Sequence, residues 1–186
     1  MKTIALLLFF VVVSSTRAQE KNPVVATLDA SLHERMKSLN REYLVFSPNE
    51  KSDRTLPLLI YLHGAGGVGE DIRKITGQTL PLWHGVNKFA KTPCIVVAPQ
   101  CNRRVREGGG WIPDDLNIFL QHLKATLNVD ENRIYLTGNS MGGYGSWAWC
   151  AHNAEHFAAI APIVGGIGPG GPKDVTPDLE AWAANL

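Results

Sequence analysis

RIYLTGNSMGGYGSW, residues 133–147, places Ser140 between two glycines, Gly138 and Gly142. The β-prone residues 133–137 precede this pattern and a helical segment follows it. That strand–turn–helix setting is the one a Gly-x-Ser-x-Gly nucleophile elbow requires. A turn so sharp strains the serine backbone, and side chains in place of the glycines would collide with the neighbouring strand and helix. The stretch therefore predicts a nucleophilic Ser140, the alternative being an ordinary serine at a helix N-cap.

Apolar runs place more strands around this turn. The five predicted strands are residues 42–46, 56–62, 94–98, 133–137 and 157–164. One helix, N-capped by Asp114 or Asp115, is predicted from Leu116, Phe119, Leu120, Leu123 and Leu127 at helical spacing. A second helix begins just after Ser140. Strands that alternate with helices, several of them continuously apolar, favour a mostly parallel α/β sheet with helices on both faces.

The stretch HGAGGVG, residues 63–69, directly follows the apolar strand of residues 56–62. A serine nucleophile needs backbone N–H groups to stabilise the oxyanion that forms during acyl transfer. A loop in this position can supply one such group, and the residue after the nucleophile supplies another. The predicted oxyanion-hole donors are therefore the N–H of Ala65 or Gly66 and the N–H of Met141.

Residues 64–69 also match the G-x-G-x-x-G pattern of a dinucleotide-binding loop. That site needs a long helix next and an acidic residue at the end of a second strand. Residues 70–91 instead predict a broken helix, with interruptions at Gly77, Pro81 and Gly85, and the next strand ends in residues 98–100 (APQ). The phosphate-loop interpretation is therefore disfavoured.

The N-terminus predicts export. Residues 1–18 contain one early lysine, ten apolar residues and then small and polar ones, the layout of a secretory signal peptide cleaved after Ala18. The apolar run is too short to span a bilayer. Without Lys2 and Arg17, 16 basic and 17 acidic residues remain, a formal net charge of −1. A secreted or periplasmic protein of one domain, residues 19–186, is predicted, with no nucleic-acid partner and no stable membrane insertion.

Three cysteines and a histidine cluster offer further chemistry. Cys94 and Cys150 are predicted to be core residues, whereas Cys101 and the pairing of all three stay open. The segment HNAEH, residues 152–156, matches a zinc-peptidase pattern but falls where a helix gives way to a strand. A solvated helix end is therefore expected there, and neither metal nor cofactor is predicted.

Trp111 and Tyr144 are candidate substrate-pocket residues. Trp111 follows a Gly-rich loop at the predicted top of the sheet, and Tyr144 lies in the helix after Ser140. Core packing is the alternative, and it is the commoner fate of such aromatic side chains.

Taken together, these motifs resemble secreted α/β-hydrolase esterases of the polyhydroxybutyrate depolymerase-like and feruloyl esterase-like group, also labelled phospholipase/carboxylesterase or prolyl oligopeptidase-like. The resemblance rests on Trp111 and on residues 56–67, 97–101, 129–147 and 157–166. It implies hydrolysis of small-molecule or polymeric carboxylic esters through an acyl-enzyme on Ser140, without a cofactor. The alternatives are a serine peptidase of the prolyl oligopeptidase-like type and a catalytically inactive binding protein of the same fold.

The chain departs from this family in its catalytic triad. In an α/β-hydrolase the order along the chain is serine, acid and then histidine. The acids after Ser140 are Glu155, Asp174, Asp178 and Glu180, and the only histidines are His152 and His156, which precede any plausible acid strand. The expectation is an incomplete hydrolase domain that lacks the triad acid and histidine and is nearly inactive alone. Residues 157–164 would then form an exposed apolar sheet edge.

Overall fold

A computed structural model describes residues 23–48, 54–102 and 110–166 of the 186-residue chain. The strands are β1 (Val24–Thr27), β2 (Leu39–Phe46), β3 (Leu56–Leu62), β4 (Ile95–Cys101), β5 (Val129–Asn139) and β6 (Ala159–Ile163). The helices are α1 (Ala30–His33), α2 (Arg73–Phe89), α3 (Pro113–Thr126) and α4 (Met141–His152), with 3-10 helices at Ala65–Gly67 and Ala154–His156. The predicted signal peptide, residues 1–18, lies outside the described residues.

The six strands form one sheet in the order β1-β2-β4-β3-β5-β6. Strands β3, β4, β5 and β6 run parallel to one another, whereas β1 and β2 are antiparallel to their neighbours. The predicted α/β architecture with a mostly parallel sheet is confirmed. Carboxyl ends of parallel strands meet at one edge of the sheet, so the segments that follow β3, β5 and β6 come together there.

Helices cover both faces of the sheet. Alternate residues of β4 enter two separate apolar clusters: Ile95 and Val97 belong to one, and Val96 and Ala98 to the other. The first cluster includes side chains of α3 and α4, and the second includes side chains of α2. Because successive strand residues point to opposite faces, the sheet is buried on both. This explains why its central strands are continuously apolar.

The prediction of a broken helix over residues 70–91 is wrong, because α2 is continuous over 17 residues. Pro81 is exposed on this helix, and Ile75, Thr79 and Trp83 form its buried face against the sheet. Burial of these side chains outweighs the helix penalty of the proline, as tertiary packing commonly does. A long helix therefore does follow the glycine-rich loop, which removes one of the two arguments against a phosphate loop there.

Smaller differences concern the ends of elements. The predicted N-cap at Asp114 or Asp115 is wrong, because α3 begins at Pro113 and both carboxylates lie in its first turn. Proline suits the first helical position, where its missing N–H has no partner in the helix anyway. Asp115 is buried and accepts three hydrogen bonds, from Lys37 N, Ser38 N and Ser38 Oγ, at 2.9, 2.7 and 2.7 Å. It thus ties α3 to the segment before β2.

The strand predicted at residues 157–164 is confirmed as the shorter β6, which is one of the two edge strands among the described residues. Its residues are exposed or half-buried, and Ile163 and Val164 are 51% and 74% exposed. The exposed apolar edge expected from the sequence is therefore present in the described part of the chain. No helix among the described residues is long and apolar enough to cross a bilayer.

Candidate active site at the turn between β5 and α4

Ser140 occupies a strained turn between β5 and α4. Its φ is +54° and its ψ is −112°, and it is one of two non-glycine residues with positive φ among those described. Such a conformation costs on the order of 1–3 kcal/mol for a residue with a side chain, and it persists only where the surroundings enforce it. Ser140 is exposed, whereas Gly138 before it and Met141 after it are buried. The strained turn predicted from the motif is confirmed.

The two elbow glycines are required by close backbone approach. A Cβ on Gly142 would overlap the carbonyl oxygen of Leu62, so α4 packs directly on the end of β3. A Cβ on Gly138 would overlap the carbonyl oxygen of Gly142 and lie 2.9 Å from Ser146 Oγ. The steric reason inferred for these glycines from the sequence therefore holds at both positions.

The end of β6 holds the elbow from the other side. The Ser140 N–H donates to the carbonyl oxygen of Ile163 at 2.9 Å, and Ser140 O accepts from the Tyr144 N–H at 3.1 Å. Val164, the next residue of the chain, has a φ of +54°, a conformation that a β-branched side chain rarely adopts. A Cβ on Gly143 would overlap the Val164 carbonyl oxygen. The backbone after β6 thus packs tightly on the first turn of α4.

The glycine-rich loop after β3 lies against the elbow. A Cβ built on Gly64 would be 3.7 Å from Ser140 Cβ and 3.2 Å from the Asn139 carbonyl oxygen. The loop continues as the 3-10 helix Ala65–Gly67, in which the Gly67 N–H donates to Gly64 O at 2.9 Å. The structure therefore brings the two predicted motifs together, although they are more than 70 residues apart in sequence.

Polar side chains from β2 and β4 fix this loop. Gln100, at the end of β4, donates from Nε2 to Gly67 O at 2.8 Å and to Asp71 O at 2.9 Å. Asn40 of β2 donates to Gly69 O at 2.6 Å and to Gln100 Oε1 at 2.8 Å. A connected network of hydrogen bonds of this kind makes a loop rigid. The sequence analysis missed these residues, since nothing local in the sequence marks them.

His63, the first residue of the loop, is fully buried and has both ring nitrogens engaged. Nε2 accepts from the Cys101 N–H at 3.0 Å, so the proton is on Nδ1, which donates to Gly64 O at 2.7 Å. Burial lowers the pKa of His63 to about 4, and the hydrogen bond to Gly64 only partly offsets that effect. The imidazole is therefore neutral at physiological pH and acts as a fixed brace between the ends of β3 and β4.

The predicted oxyanion-hole donors belong to the glycine-rich loop after β3 and to the residue that follows Ser140. Ala65 and Gly66 form the start of the 3-10 helix, half-buried and exposed respectively, and Met141 is the first residue of α4. The first N–H groups of a helix point toward its N-terminal end, where an anion can bind. The assignment of these residues to an oxyanion hole stays a prediction.

Trp111 is fully buried, which corresponds to the core-packing alternative rather than to an open pocket. Its ring packs on that of His63, with 4.7 Å between centroids, and its Nε1–H donates to His63 O at 3.3 Å. A Cβ on Gly145 would lie 2.5 Å from the Trp111 ring. Trp111 therefore supports the glycine-rich loop through its contacts with His63. Tyr144 is half-buried beside Gly166, and its place in a substrate pocket stays a prediction.

A general base for Ser140 is not visible in the described part of the chain. No hydrogen bond from a described residue reaches the Ser140 hydroxyl. His152 ends α4 and is about 17 Å from the start of that helix, given a rise of 1.5 Å per residue. His156 closes the 3-10 helix before β6, which begins opposite Tyr135 near the middle of β5. The predicted location of residues 152–156 at a helix end is confirmed.

The other candidate ligands are dispersed. Within the described ranges there is no group of three or more His, Cys, Asp or Glu side chains that could hold a metal ion. Cys94, Cys101 and Cys150 are all buried and not joined by a disulfide. Burial raises the pKa of the Cys94 thiol to about 11, and Cys101 donates from Sγ to Gly110 O at 3.1 Å. The core locations predicted for Cys94 and Cys150 are confirmed, and Cys101 is a core residue too.

Solved structures with this arrangement of elements are numerous. A thermostable esterase superposes with a TM-score of 0.61 at 30% identity, over 75% of this chain and 40% of that one. The chain has the α/β-hydrolase fold. A ferulic acid esterase shares this α/β-hydrolase architecture, with a TM-score of 0.54 at 21% identity over 74% of this chain and 58% of the other. The fold predicted from the two motifs is therefore confirmed.

Sequence relatives of this chain are esterases by name. An Aspergillus terreus protein named "Probable feruloyl esterase C" is 29% identical over 68% of this chain, and feruloyl esterase C of Emericella nidulans is 28% identical over 68%. The chain spans about half the length, 47%, of each of these relatives. No family model matches the chain. The resemblance to α/β-hydrolase esterases stated from the motifs is confirmed.

Proposed function

We propose that Ser140 is the nucleophile of a secreted carboxylic ester hydrolase. The observation that carries the proposal is the exposed Ser140 at φ +54°, beside a glycine-rich loop so close that a Cβ built on Gly64 would lie 3.7 Å from Ser140 Cβ. An energetically costly backbone conformation at an exposed serine beside a rigid loop is typical of a nucleophile elbow. The names of the sequence relatives support esters as the substrate class.

The proposed reaction proceeds through an acyl-enzyme. Ser140 Oγ attacks the ester carbonyl carbon and loses its proton to a base, and the carbonyl oxygen becomes an oxyanion. The N–H of Met141 and that of Ala65 or Gly66 donate hydrogen bonds to this oxyanion. The alcohol leaves with a proton returned from the base, and water then hydrolyses the acyl group from Ser140. The mechanism uses no metal or cofactor.

Feruloyl esters are the first substrates to test, because the relatives are named for them. Acetyl and hydroxybutyrate esters form the comparison set, since the neighbouring folds and the motifs are compatible with all three. We expect the 186-residue chain to turn over any of them slowly, because no described residue provides a base that contacts Ser140. An oxyanion hole without the other triad members still accelerates acyl transfer by about 10³–10⁴-fold over water.

A site-specific phosphonylation experiment tests the nucleophile independently of turnover. The purified chain is incubated with a fluorophosphonate and the modified peptide is identified by mass spectrometry. Because no described residue provides a base that contacts Ser140, its modification is expected to be slow, but to occur on long incubation in the wild type and in Ser47→Ala, a control at an exposed serine after β2, and to be lost in Ser140→Ala. Modification that persists in Ser140→Ala would refute the proposal. Fast ester turnover that Ser140→Ala abolishes would instead show that this chain already supplies the base.

A further inference from the structure

Gln78 of α2 lies above the glycine-rich loop, on the side that faces Ser140. Its Oε1 accepts a hydrogen bond from the Gly64 N–H at 3.1 Å. A Cβ on Gly64 would be 3.7 Å from Gln78 Oε1 and 3.7 Å from Ser140 Cβ. One small group at Gly64 would therefore contact both side chains, which places the Gln78 amide beside the elbow.

The hydrogen bond to Gly64 fixes which way the amide faces. A backbone N–H requires an acceptor, so Oε1 points toward Gly64 and Nε2 points away from it. Nε2 is 3.8 Å from the position that a Cβ of Gly66 would occupy. Gly66 is exposed, and Gln78 is half-buried. The amide nitrogen therefore lies over the exposed part of the loop.

Nε2 has two N–H donors, and within the described residues it donates no hydrogen bond. Among the described residues, the fully buried side-chain nitrogen without a hydrogen-bond partner is Trp83 Nε1. Gln78 Nε2 also lacks a partner among them but is not fully buried. Solvent or a ligand can therefore reach it. By contrast, the side-chain amides of Asn40 and Gln100 donate their hydrogen bonds to backbone carbonyls in and after the loop and, from Asn40, to Gln100 Oε1. Gln78 differs because its donors face outward from the loop.

We propose that Gln78 is a specificity-determining residue, whose Oε1 holds Gly64 in place and whose Nε2 donates a hydrogen bond to an oxygen of the ester bound at Ser140. This inference rests on the proposed function, because it requires that esters bind beside Ser140. Esters that place an acceptor oxygen over Gly66 are favoured over those that place a hydrocarbon there. A ligand that leaves this donor without a hydrogen bond loses more binding free energy than the hydrogen bond contributes with a matching ligand. A polar group therefore discriminates between the two ligands.

Two substitutions separate the two roles of the amide. Gln78→Glu keeps an acceptor for the Gly64 N–H but replaces the Nε2 donor with a second acceptor. Gln78→Met has similar length and removes both. Gln121→Glu introduces the same charge at an exposed position of α3 and serves as the control. Each is combined with Ser140→Ala, so that binding of methyl ferulate can be measured without chemistry.

Binding and amide exchange give separate readouts. We expect both Gln78 variants to raise the Kd for methyl ferulate about tenfold, the value of one hydrogen bond, with Gln121→Glu unchanged. Hydrogen exchange at the Gly64 amide should accelerate in Gln78→Met but not in Gln78→Glu. If Gln78→Glu binds as tightly as its parent, Gln78 only positions the loop and the donor assignment is wrong. Absence of binding by the Ser140→Ala parent would overturn it too, whereas failure of the proposed function would appear separately as loss of Ser140 phosphonylation.

Discussion

We expect the burial of His63 to make this fold less stable in mild acid, and replacing His63 by glutamine should remove that effect. In the folded chain burial lowers the pKa of His63 from 6.5 to about 4. Between these two pH values the unfolded chain binds a proton at this position and the folded chain does not. The free energy of unfolding therefore falls as the pH decreases from 6.5 toward 4, and below about 4 this contribution no longer changes.

The size of the effect follows from the shift. Each pKa unit corresponds to about 1.4 kcal/mol, so a shift to about 4 gives on the order of 3 kcal/mol. His63 is fully buried, so solvent does not screen this effect. Burial also lowers the pKa of His122. The effect of His122 on stability has the same sign and is present in both the wild type and His63→Gln. The pKa values of Asp71 and Asp130 are lowered from 3.8, so these carboxylates affect stability mainly below pH 3.8, outside the range from pH 6.5 to pH 4.

Urea unfolding followed by tryptophan fluorescence, at steps from pH 7.5 to pH 4, measures the effect. The introduced glutamine side chain can still accept from the Cys101 N–H, but it loses the ring contact with Trp111. We expect His63→Gln to be less stable at pH 7.5 and to lose about 3 kcal/mol less than the wild type on acidification. His152→Gln, at an exposed position, is the control. Parallel pH curves for the wild type and His63→Gln would refute the argument that burial keeps this imidazole neutral.

Two further substitutions test the packing of the site. Gly142→Ala should lower the stability by about 3 kcal/mol or more, because its Cβ would overlap the Leu62 carbonyl oxygen, whereas Gly85→Ala, with open space around its Cβ, should raise it by about 0.5–1 kcal/mol. Equal effects in thermal unfolding would contradict the close approach of α4 to β3. Asp115→Ala should cost about 3 kcal/mol in urea unfolding, because three donors lose their acceptor, and the exposed Asp114→Ala about 0.5 kcal/mol. Similar losses for both would show that the buried carboxylate does not anchor α3.

The elbow could be predicted from the sequence because its determinants are local. Two glycines, a preceding strand and a following helix lie within fifteen residues, and they fix both the turn and the position of Ser140. The same holds for the central strands, whose apolar runs mark them directly. By contrast β1 has only four residues, three of them exposed, and a run that short does not distinguish a strand from a loop.

What the sequence could not reveal depends on contacts between distant segments. α2 was mispredicted because Pro81 and its neighbouring glycines weigh against a helix in isolation, while the packing that stabilises the helix comes from the sheet. Gln78 and Gln100 contact the loop only because helix and strand return to it. The burial of Trp111 likewise follows from its packing against both His63 and Gly145, which lie far apart in the sequence.

The hydrogen bond from the Ser140 amide to Ile163 couples the backbone of the turn at Ser140 to β6, one of the two edge strands of the described sheet. A strand at an edge opens more readily than one with two neighbours. Each time β6 detaches, Ser140 loses the carbonyl that holds its turn and can relax from φ +54°. The amide of Ser140 is thus a natural reporter: its exchange rate measures how often the edge opens. A ligand that binds β6 and holds it in the sheet would also hold Ser140 in its strained conformation, although it would not contact the serine hydroxyl.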